Sequence, residues 1–402
     1  MALLPLDEAQ ARLLALATPL PIERVDVPGA LGRYLAEPLR ARRAQPAAHA
    51  SAMDGYAVAS ADLAGPWRVI GESAAGHPFA GCPGPGEAVR ISTGALLPAG
   101  CDTVIIQENT ARDGDRLTLT APAEARRHVR LCGSDFAADD HLLRAGARIG
   151  PAQLALALAA GHRHLAVRRP PRIAIIDSGD ELAADPEDCA PHQVPASNGA
   201  MIAALASALP CEIRRLGPVA DDLSALTAAL HAAEGCDVVV TTGGASVGDH
   251  DLVRPALQDW GAQLDFWKVA IRPGKPLMVA RRPTASGAQL AVGLPGNPVS
   301  SMVTAYLFLL PLLRALLGAA QPLPRALPFT LAAPLPSVGD RREFVRAMFD
   351  EDGRVVPVRS QDSGALGSLA LSDVLIDRLA GAPAATPGET VRAYLLENGG
   401  LA

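Results

Sequence analysis

The chain lacks the features that would place it in several broad classes. Its six cysteines, at 82, 101, 132, 189, 211 and 236, form no Cys-x-x-Cys pair and no metal-ligand spacing. That argues against a zinc ribbon or a disulfide framework and predicts reduced thiols, mostly core filler, in a cytoplasmic protein. Positive charge is not in excess either. The formal net charge is −6 and the pI about 5.9, so there is no electrostatic case for nucleic acid. Long hydrophobic runs are also missing. The most apolar stretch, Met302 to Leu313, is interrupted by Pro311 and is expected to be a buried helix, too short to cross a bilayer. The first residues, Met1-Ala-Leu-Leu-Pro-Leu-Asp-Glu8, carry no basic region of the kind that opens a secretory signal.

What is present is length and apolar mass. With 402 residues, 49% of them apolar, the chain has material for several cores and more than one domain. Leu3 to Leu20 has helical apolar spacing with Pro21 as a stop, and Arg40 to Ala52 reads as an extended connector. Short β-like runs follow at Trp67–Ile70, Ala88–Ile91, Thr103–Ile106 and Arg116–Thr120, separated by Gly- and Pro-rich turns. Pro151 to Ala160 is a helix with Pro in its first turn.

From Arg172 to Leu317 the pattern becomes βαβ. Strands are expected at Ile173–Ile176 and Ile213–Leu216, helices at Asn198–Leu205 and Asp221–Ala233, with Asp221 or Asp222 as the N-cap of the second. From Pro322 onward helix signals vanish, and Phe329–Leu331, Phe344–Met348, Arg354–Val358 and Thr390–Leu395 read as strands. The fold class expected is α/β multidomain: a doubly wound α/β domain with an inserted small β domain, a linking α+β region and a C-terminal β domain. The segments are 1–21 (a helix packing on the α/β domain), 22–40 with 140–169 (linking), 41–139 (the β-rich insert), 170–325 (α/β) and 326–402 (C-terminal β).

Chemistry concentrates at three strand-end loops. Cys236 to Val240 reads as a buried parallel strand and feeds Thr241-Thr-Gly-Gly-Ala-Ser-Val-Gly-Asp-His-Asp251. Glycines let backbone N–H groups approach an anion, and Asp249 and Asp251 suit a divalent cation beside a phosphate. A Gly-Gly turn after a strand is equally an ordinary βα connection. Arg272-Pro-Gly-Lys-Pro276 holds Arg272 and Lys275 on a rigid turn, where charge-assisted hydrogen bonds suit an oxyanion. Leu294-Pro-Gly-Asn-Pro298 opens a helix with Pro298 in its first turn. The three loops are expected to converge on one cleft at the carboxyl ends of the strands. His250 reads as solvent-facing, and Phe266 and Trp267 as core.

With these loops in view, the chain resembles the molybdopterin molybdenumtransferase family, which includes the E domain of gephyrin. The resemblance covers nearly the whole length. It rests on Ser51-Ala-Met-Asp-Gly-Tyr-Ala57, on Ile91-Ser-Thr-Gly-Ala-Leu-Leu-Pro-Ala-Gly-Cys-Asp-Thr-Val104 and on Gly179-Asp-Glu-Leu182. Ser197-Asn198, the three loops and Glu343-Phe-Val-Arg346 follow in family order. Three departures stand out: Ser134 replaces an acid, Asp177-Ser-Gly stands where a Thr-Gly pair is commoner, and Ala245 stands where Val is usual.

The resemblance implies an enzyme late in molybdenum cofactor synthesis. Adenylylated molybdopterin binds, molybdate is inserted into its dithiolene, and the adenylyl bond is cleaved with Mg²⁺ to release AMP. It implies a homodimer whose clefts are shared between the α/β domain of one subunit and the Met-Asp-Gly-Tyr region of the other. It also implies a contact with the adenylyltransferase of the same pathway, and no membrane or nucleic-acid partner. The catalytic residues it implies are Asp54, Thr93, Glu181, Asp221 and Asp251, with Asp54, Glu181 and Asp251 on the metal. Asp221 reads by itself as a helix cap. Ligand contacts are implied at Ser92, Gly243, Gly244, Ser246, Gly248, Arg272, Lys275 and Pro276, and at Pro295, Gly296, Asn297 and Pro298. Arg346, Ser363 and Ser368 of the last domain complete an oxyanion site. Two alternatives stand beside this reading: a molybdopterin adenylyltransferase-like enzyme, and a non-catalytic gephyrin-like scaffold.

Overall fold

The valines after Asp237 do form an interior strand, Val238–Thr242, in which every residue is buried. It lies at the centre of a six-stranded sheet. The order is Glu212–Val219, Arg172–Ser178, Val238–Thr242, Gly287–Leu294, Met278–Thr284 and Gln263–Trp267. The first four are parallel and Met278–Thr284 runs antiparallel to both neighbours. Alternate residues serve two cores. Ile173, Ile175, Val238, Val240 and Val292 pack with the helices Leu6–Leu16 and Asn198–Ala206. Ala174, Ile176 and Val239 pack with Leu226, Leu230, Val253 and Trp260 on the other face. Burial of each such aliphatic side chain contributes about 1.5–3 kcal/mol, and burial on both faces is the mark of a doubly wound sheet.

The structure, a computed structural model, describes residues 3–243, 252–285 and 287–396. They fall into two compact units, Met1–Glu23 with Gly32–Ala36 and Ala166–Ala402, and Arg24–Leu31 with Glu37–Leu165.

In the larger unit the first helix is shorter than its apolar spacing predicts. It ends at Leu16, with Ala17 extended, because Pro19 disfavours helical backbone at the residue before it. The apolar run around Met302 is longer than expected. Its helix spans Pro298–Leu316, 19 residues, so length alone does not exclude a membrane crossing; 83% of its apolar window is buried in the fold, which makes it a core helix. It passes Pro311 through a π turn at Ala305–Leu309. Pro311 has no N–H to give to the carbonyl one turn back. The carbonyl of Leu307, four residues before it, accepts instead from Nε2 of the buried Gln10 at 2.8 Å.

Beyond this helix a second sheet runs Ile271–Arg272, Arg342–Phe349, Val374–Arg378, Thr390–Leu395 and Leu327–Thr330, with Val355–Pro357 beside Arg342–Phe349. Helix is not absent here, contrary to the sequence pattern. Leu366–Ala370 forms one short turn, too brief to leave a periodic signal.

The smaller unit carries its own six-stranded sheet. Its order is Thr103–Ile106, Gly55–Val58, Glu87–Ile91, Trp67–Ser73, Arg116–Leu119 and Thr110–Asp113. Trp67, Val58, Ala88 and Leu117 fill its core. Gly55–Val58 sits between two neighbours, and a Cβ at Gly55 would lie 1.9 Å from the Ile105 carbonyl oxygen, so only glycine fits. The thiols depart from expectation. Of the six free cysteines only Cys101 is buried, while Cys82 and Cys132 are exposed.

Candidate active site

A cavity of about 880 Å³ opens at the carboxyl ends of the parallel strands of the larger unit. In-register pairing sets Asp177 beside Thr242 and Thr242 beside Leu294, so these strand ends form one floor. All three loops expected to converge here reach the wall: Thr242 and Gly243 from one, and Pro295, Gly296, Asn297 and Pro298 from another. The third contributes Pro276.

Two further carboxylates stand on the wall. Glu181 and Asp221 both line the cavity. Gly179 lets the chain fold the Glu181 carboxylate back against it: with φ +151°, a Cβ there would lie 2.6 Å from Glu181 Oε2. Asp221 is tied to the same loop, since its N–H donates to Asp180 Oδ1 at 3.0 Å. Asp221 is not the helix cap; that role belongs to Asp222, whose Oδ1 accepts from Ala225 N–H at 2.9 Å. Asp221 is thus left on the cavity wall.

Side-chain amides fix the remaining rim. Asn198 Nδ2 donates to the Gly296 carbonyl at 2.6 Å, and Asn297 Nδ2 donates to Ser363 Oγ at 2.9 Å. Val299 N–H donates to the Ser363 carbonyl at 3.1 Å, so a loop of the C-terminal sheet is docked onto the start of the long helix. Gly364 and Leu366 of that loop line the cavity. Arg346 braces it from beneath. Its guanidinium is buried, Nη2 donates to the carbonyls of Ser360 and Asp362 at 2.8 and 2.9 Å, and Nε and Nη1 have no partner among the described residues. Burial pushes its pKa below the usual arginine value. Arg346 does not line the cavity, and neither does Ser368.

The two basic residues of the Arg-Pro-Gly-Lys-Pro turn stay outside the cavity wall. Arg272 pairs with Glu343 at 3.1 Å, and the exposed Lys275 ammonium makes no bond to the described residues. No Lys or Arg is among the described residues that line the cavity. Gly244, Ser246, Gly248 and Asp251, with Asp249 and His250, lie outside the described residues, as does the Trp267 side chain; Phe266 is core.

Asp54 and Thr93 belong to the smaller unit and meet each other. Gly55 pairs with Ile91, which brings the residue before one strand against those after the other. Thr93 N–H and Oγ1 both donate to Asp54 Oδ1, at 2.7 and 3.0 Å. The Thr93 N–H, then its hydroxyl, holds the Asp54 carboxyl below its ordinary pKa. Ser92 N–H is spent on the Ser73 carbonyl at 3.2 Å.

Of the expected metal ligands, Asp251 lies outside the described residues, and Asp54 and Glu181 belong to different units. Among the described residues no group of three or more His, Cys, Asp or Glu stands close enough to hold a metal. Their chemistry still suits a hard divalent cation: Asp177, Glu181 and Asp221 bring carboxylates to a cavity whose described lining holds no Lys or Arg, and Arg215, outside that lining, stands 3.5 Å from Asp177 Oδ2. Sequence reasoning assigned no site role to Asp177, Ser178 or Thr242. Their signal was faint: polar residues at the ends of apolar strands.

Three family models match the chain in order. The MoeA N-terminal region (domain I and II) covers residues 4–161, a model described as "Probable molybdopterin binding domain" covers 174–315, and the MoeA C-terminal region (domain IV) covers 328–396. The molybdopterin molybdenumtransferase of Staphylococcus aureus is 31% identical over 98% of this chain and 96% of its own length.

The chain belongs to the molybdopterin molybdenumtransferase family.

The Nostoc sp. molybdopterin molybdenumtransferase is 37% identical over 74% of this chain and 70% of its own. The crystal structure of a molybdopterin biosynthesis MoeA protein from Pyrococcus horikoshii superposes with a TM-score of 0.84 at 25% identity, covering 98% of this chain and all of that one. The expected family and multidomain α/β class therefore hold. Family models on both flanks of the central domain disfavour the adenylyltransferase alternative, whose fold corresponds to that domain alone.

Proposed function

We infer that this chain is a transferase of molybdenum cofactor biosynthesis that inserts molybdenum into molybdopterin. The observation that carries the reading is a family match along nearly the full length, together with a large cavity at the carboxyl ends of its central domain. The pterin substrate is taken as adenylylated molybdopterin and the oxyanion as molybdate, with AMP the second product.

The chemistry follows from the wall of the cavity. Cleaving a bond at a phosphoryl group asks mainly for positioning and charge neutralisation. Carboxylates alone would repel the ligand's phosphates. A divalent cation, Mg²⁺ in our reading, would be held by Glu181 and Asp221 with the ligand's own oxygens, and would supply that neutralisation. Asn198 and Asn297 fix the backbone of the Pro-Gly-Asn loop, so its groups meet the ligand without reorganising. Lys275, without a partner among the described residues and close in sequence to the wall residue Pro276, is assigned to the molybdate dianion. Arg346 and Ser363 hold the loop that carries Gly364 and Leu366 to the cavity, which Ser368 and Arg272 do not line.

Asp54 and Thr93 act from the second unit in this reading, and we assign them to the cleft of a partner subunit in a homodimer. The family motif around them, the low carboxyl pKa and the solvent-facing Met53, 41% exposed, support that assignment. We place the protein in the cytoplasm, served by the adenylyltransferase of the same pathway. The segment boundaries expected from the sequence are retained as part of this reading.

Mixing inactive variants tests the shared site. Asp54→Ala and Glu181→Ala, each folded and inactive alone, should regain about a quarter of wild-type AMP release when refolded together. That fraction is the share of clefts keeping both acids at equal mixing of freely exchanging subunits. No recovery, with mixed dimers demonstrated, would place both acids in one subunit. Loss of AMP release on chelation, restored by Mg²⁺, tests the cation.

A further inference from the structure

Asp177 is a carboxylate with more acceptor capacity than partners, set in the floor of the cavity. The residue is only 2% exposed yet lines the cavity wall. Oδ1 accepts from Thr242 Oγ1 at 2.5 Å, and Oδ2 stands 3.5 Å from Arg215 Nη2, too long for a good hydrogen bond. A carboxylate has about four acceptor sites, and a buried polar group left unsatisfied is costly. Its orientation is fixed rather than adaptable. In-register pairing with Thr242 sets the first contact. The other oxygen is packed against the helix Asn198–Ala206, where a Cβ at Gly199 would lie 2.1 Å from Oδ2.

We propose that Asp177 is a specificity-determining residue that reads the heterocycle of the ligand by accepting from two adjacent N–H groups. A 2-amino-4-oxopyrimidine edge, as in a pterin, presents two such donors side by side. An adenine edge presents one donor and one acceptor, which a carboxylate cannot match. A fixed and buried carboxylate discriminates strongly, because the wrong edge leaves a buried acceptor facing an acceptor. The assignment rests on the pterin reading of the cavity given above and names the end of the ligand that this floor holds.

Asp177→Asn keeps size and shape and replaces one acceptor oxygen with a donor. Adenylylated molybdopterin and AMP are titrated separately onto wild type and variant. The affinity for the pterin nucleotide should fall at least tenfold while that for AMP changes less than about twofold. Gly199→Ala, which pushes on Oδ2, should give the same pattern. An unchanged pterin-nucleotide affinity in Asp177→Asn overturns the proposal. Equal losses for both ligands also overturn it, since they would make Asp177 a brace for Thr242. A wild-type protein that binds no adenylylated molybdopterin would overturn the proposal together with the reading beneath it.

Discussion

Replacing Gly243 with alanine probes the floor of the cavity with a control built into the same site. Gly243 has φ +94°, outside the range that L side chains adopt easily. A Cβ there would also lie 2.5 Å from the Ser178 carbonyl oxygen, a backbone atom on the neighbouring strand. The conformational term costs about 1–3 kcal/mol. Relieving the clash by moving a packed strand end costs about 1–2 kcal/mol more. The sum, roughly 2–5 kcal/mol, corresponds to a fall of roughly 4–20 °C in the melting temperature of a unit this size. Gly296 faces Gly243 across the same cleft, but its Cβ would only touch Gly243 Cα at an ordinary 3.6 Å, and its φ is not positive. Gly296→Ala should therefore melt within about 1 kcal/mol of wild type, or slightly higher. Thermal unfolding followed by near-ultraviolet circular dichroism reads both, and titration with adenylylated molybdopterin should show weaker binding by Gly243→Ala. A Gly243→Ala protein that melts with wild type would refute the reasoning. So would a Gly296→Ala protein that melts as low as Gly243→Ala, since the backbone geometry would then not be what distinguishes them.

Other outcomes follow from single contacts. Thr93→Ala removes one of two hydrogen bonds to Asp54, so the Asp54 carboxyl should titrate at higher pH and the acid limb of AMP release should move up in pH. The sign is that of a depressed carboxyl: its stabilisation is present above the unfolded value and is lost as pH falls through the folded one. A pH–rate profile that superposes on wild type would contradict it. Burial pushes the thiols of Cys101 and Cys211 up to about 11 and about 12. At pH 8 such thiols are ~0.1% thiolate or less, so alkylation followed by mass spectrometry should find the exposed Cys82 and Cys132 modified first. Gln10→Ala leaves the Leu307 carbonyl without its side-chain donor and should cost about 1–3 kcal/mol of stability, read by denaturant unfolding, with pterin-nucleotide affinity unchanged.

Much of the fold was legible because burial on two faces imposes a plain pattern. The strands around Ile173–Ile176 and Val238–Val240 are continuous apolar runs, and the β-rich unit announced itself through Gly- and Pro-rich turns. What escaped depends on tertiary partners. The Gly55–Val58 strand carries Gly at its first position and looks like a turn, because the need for glycine comes from the Ile105 carbonyl across the sheet. The long helix hid behind Pro311, whose cost is offset by a π turn and a glutamine 301 positions away in sequence.

 At the cavity, Glu181 and the Pro-Gly-Asn loop were legible from their motifs, whereas Asp221 by itself looked like a helix cap. Asp177 was not legible, because an acid at the end of an apolar strand looks like a solvent-facing terminus. Only the register with Thr242 and the approach of Gly199 show it to be inside.

Molybdenum insertion itself can be measured directly. Purified protein is incubated anaerobically with adenylylated molybdopterin, molybdate and Mg²⁺, and both AMP and molybdenum bound to the pterin are measured over one turnover. The two should appear together, about one to one, and AMP release should depend on molybdate. AMP released at the same rate without molybdate, or adenylylated pterin left intact with no molybdenum incorporated, would contradict the proposed function.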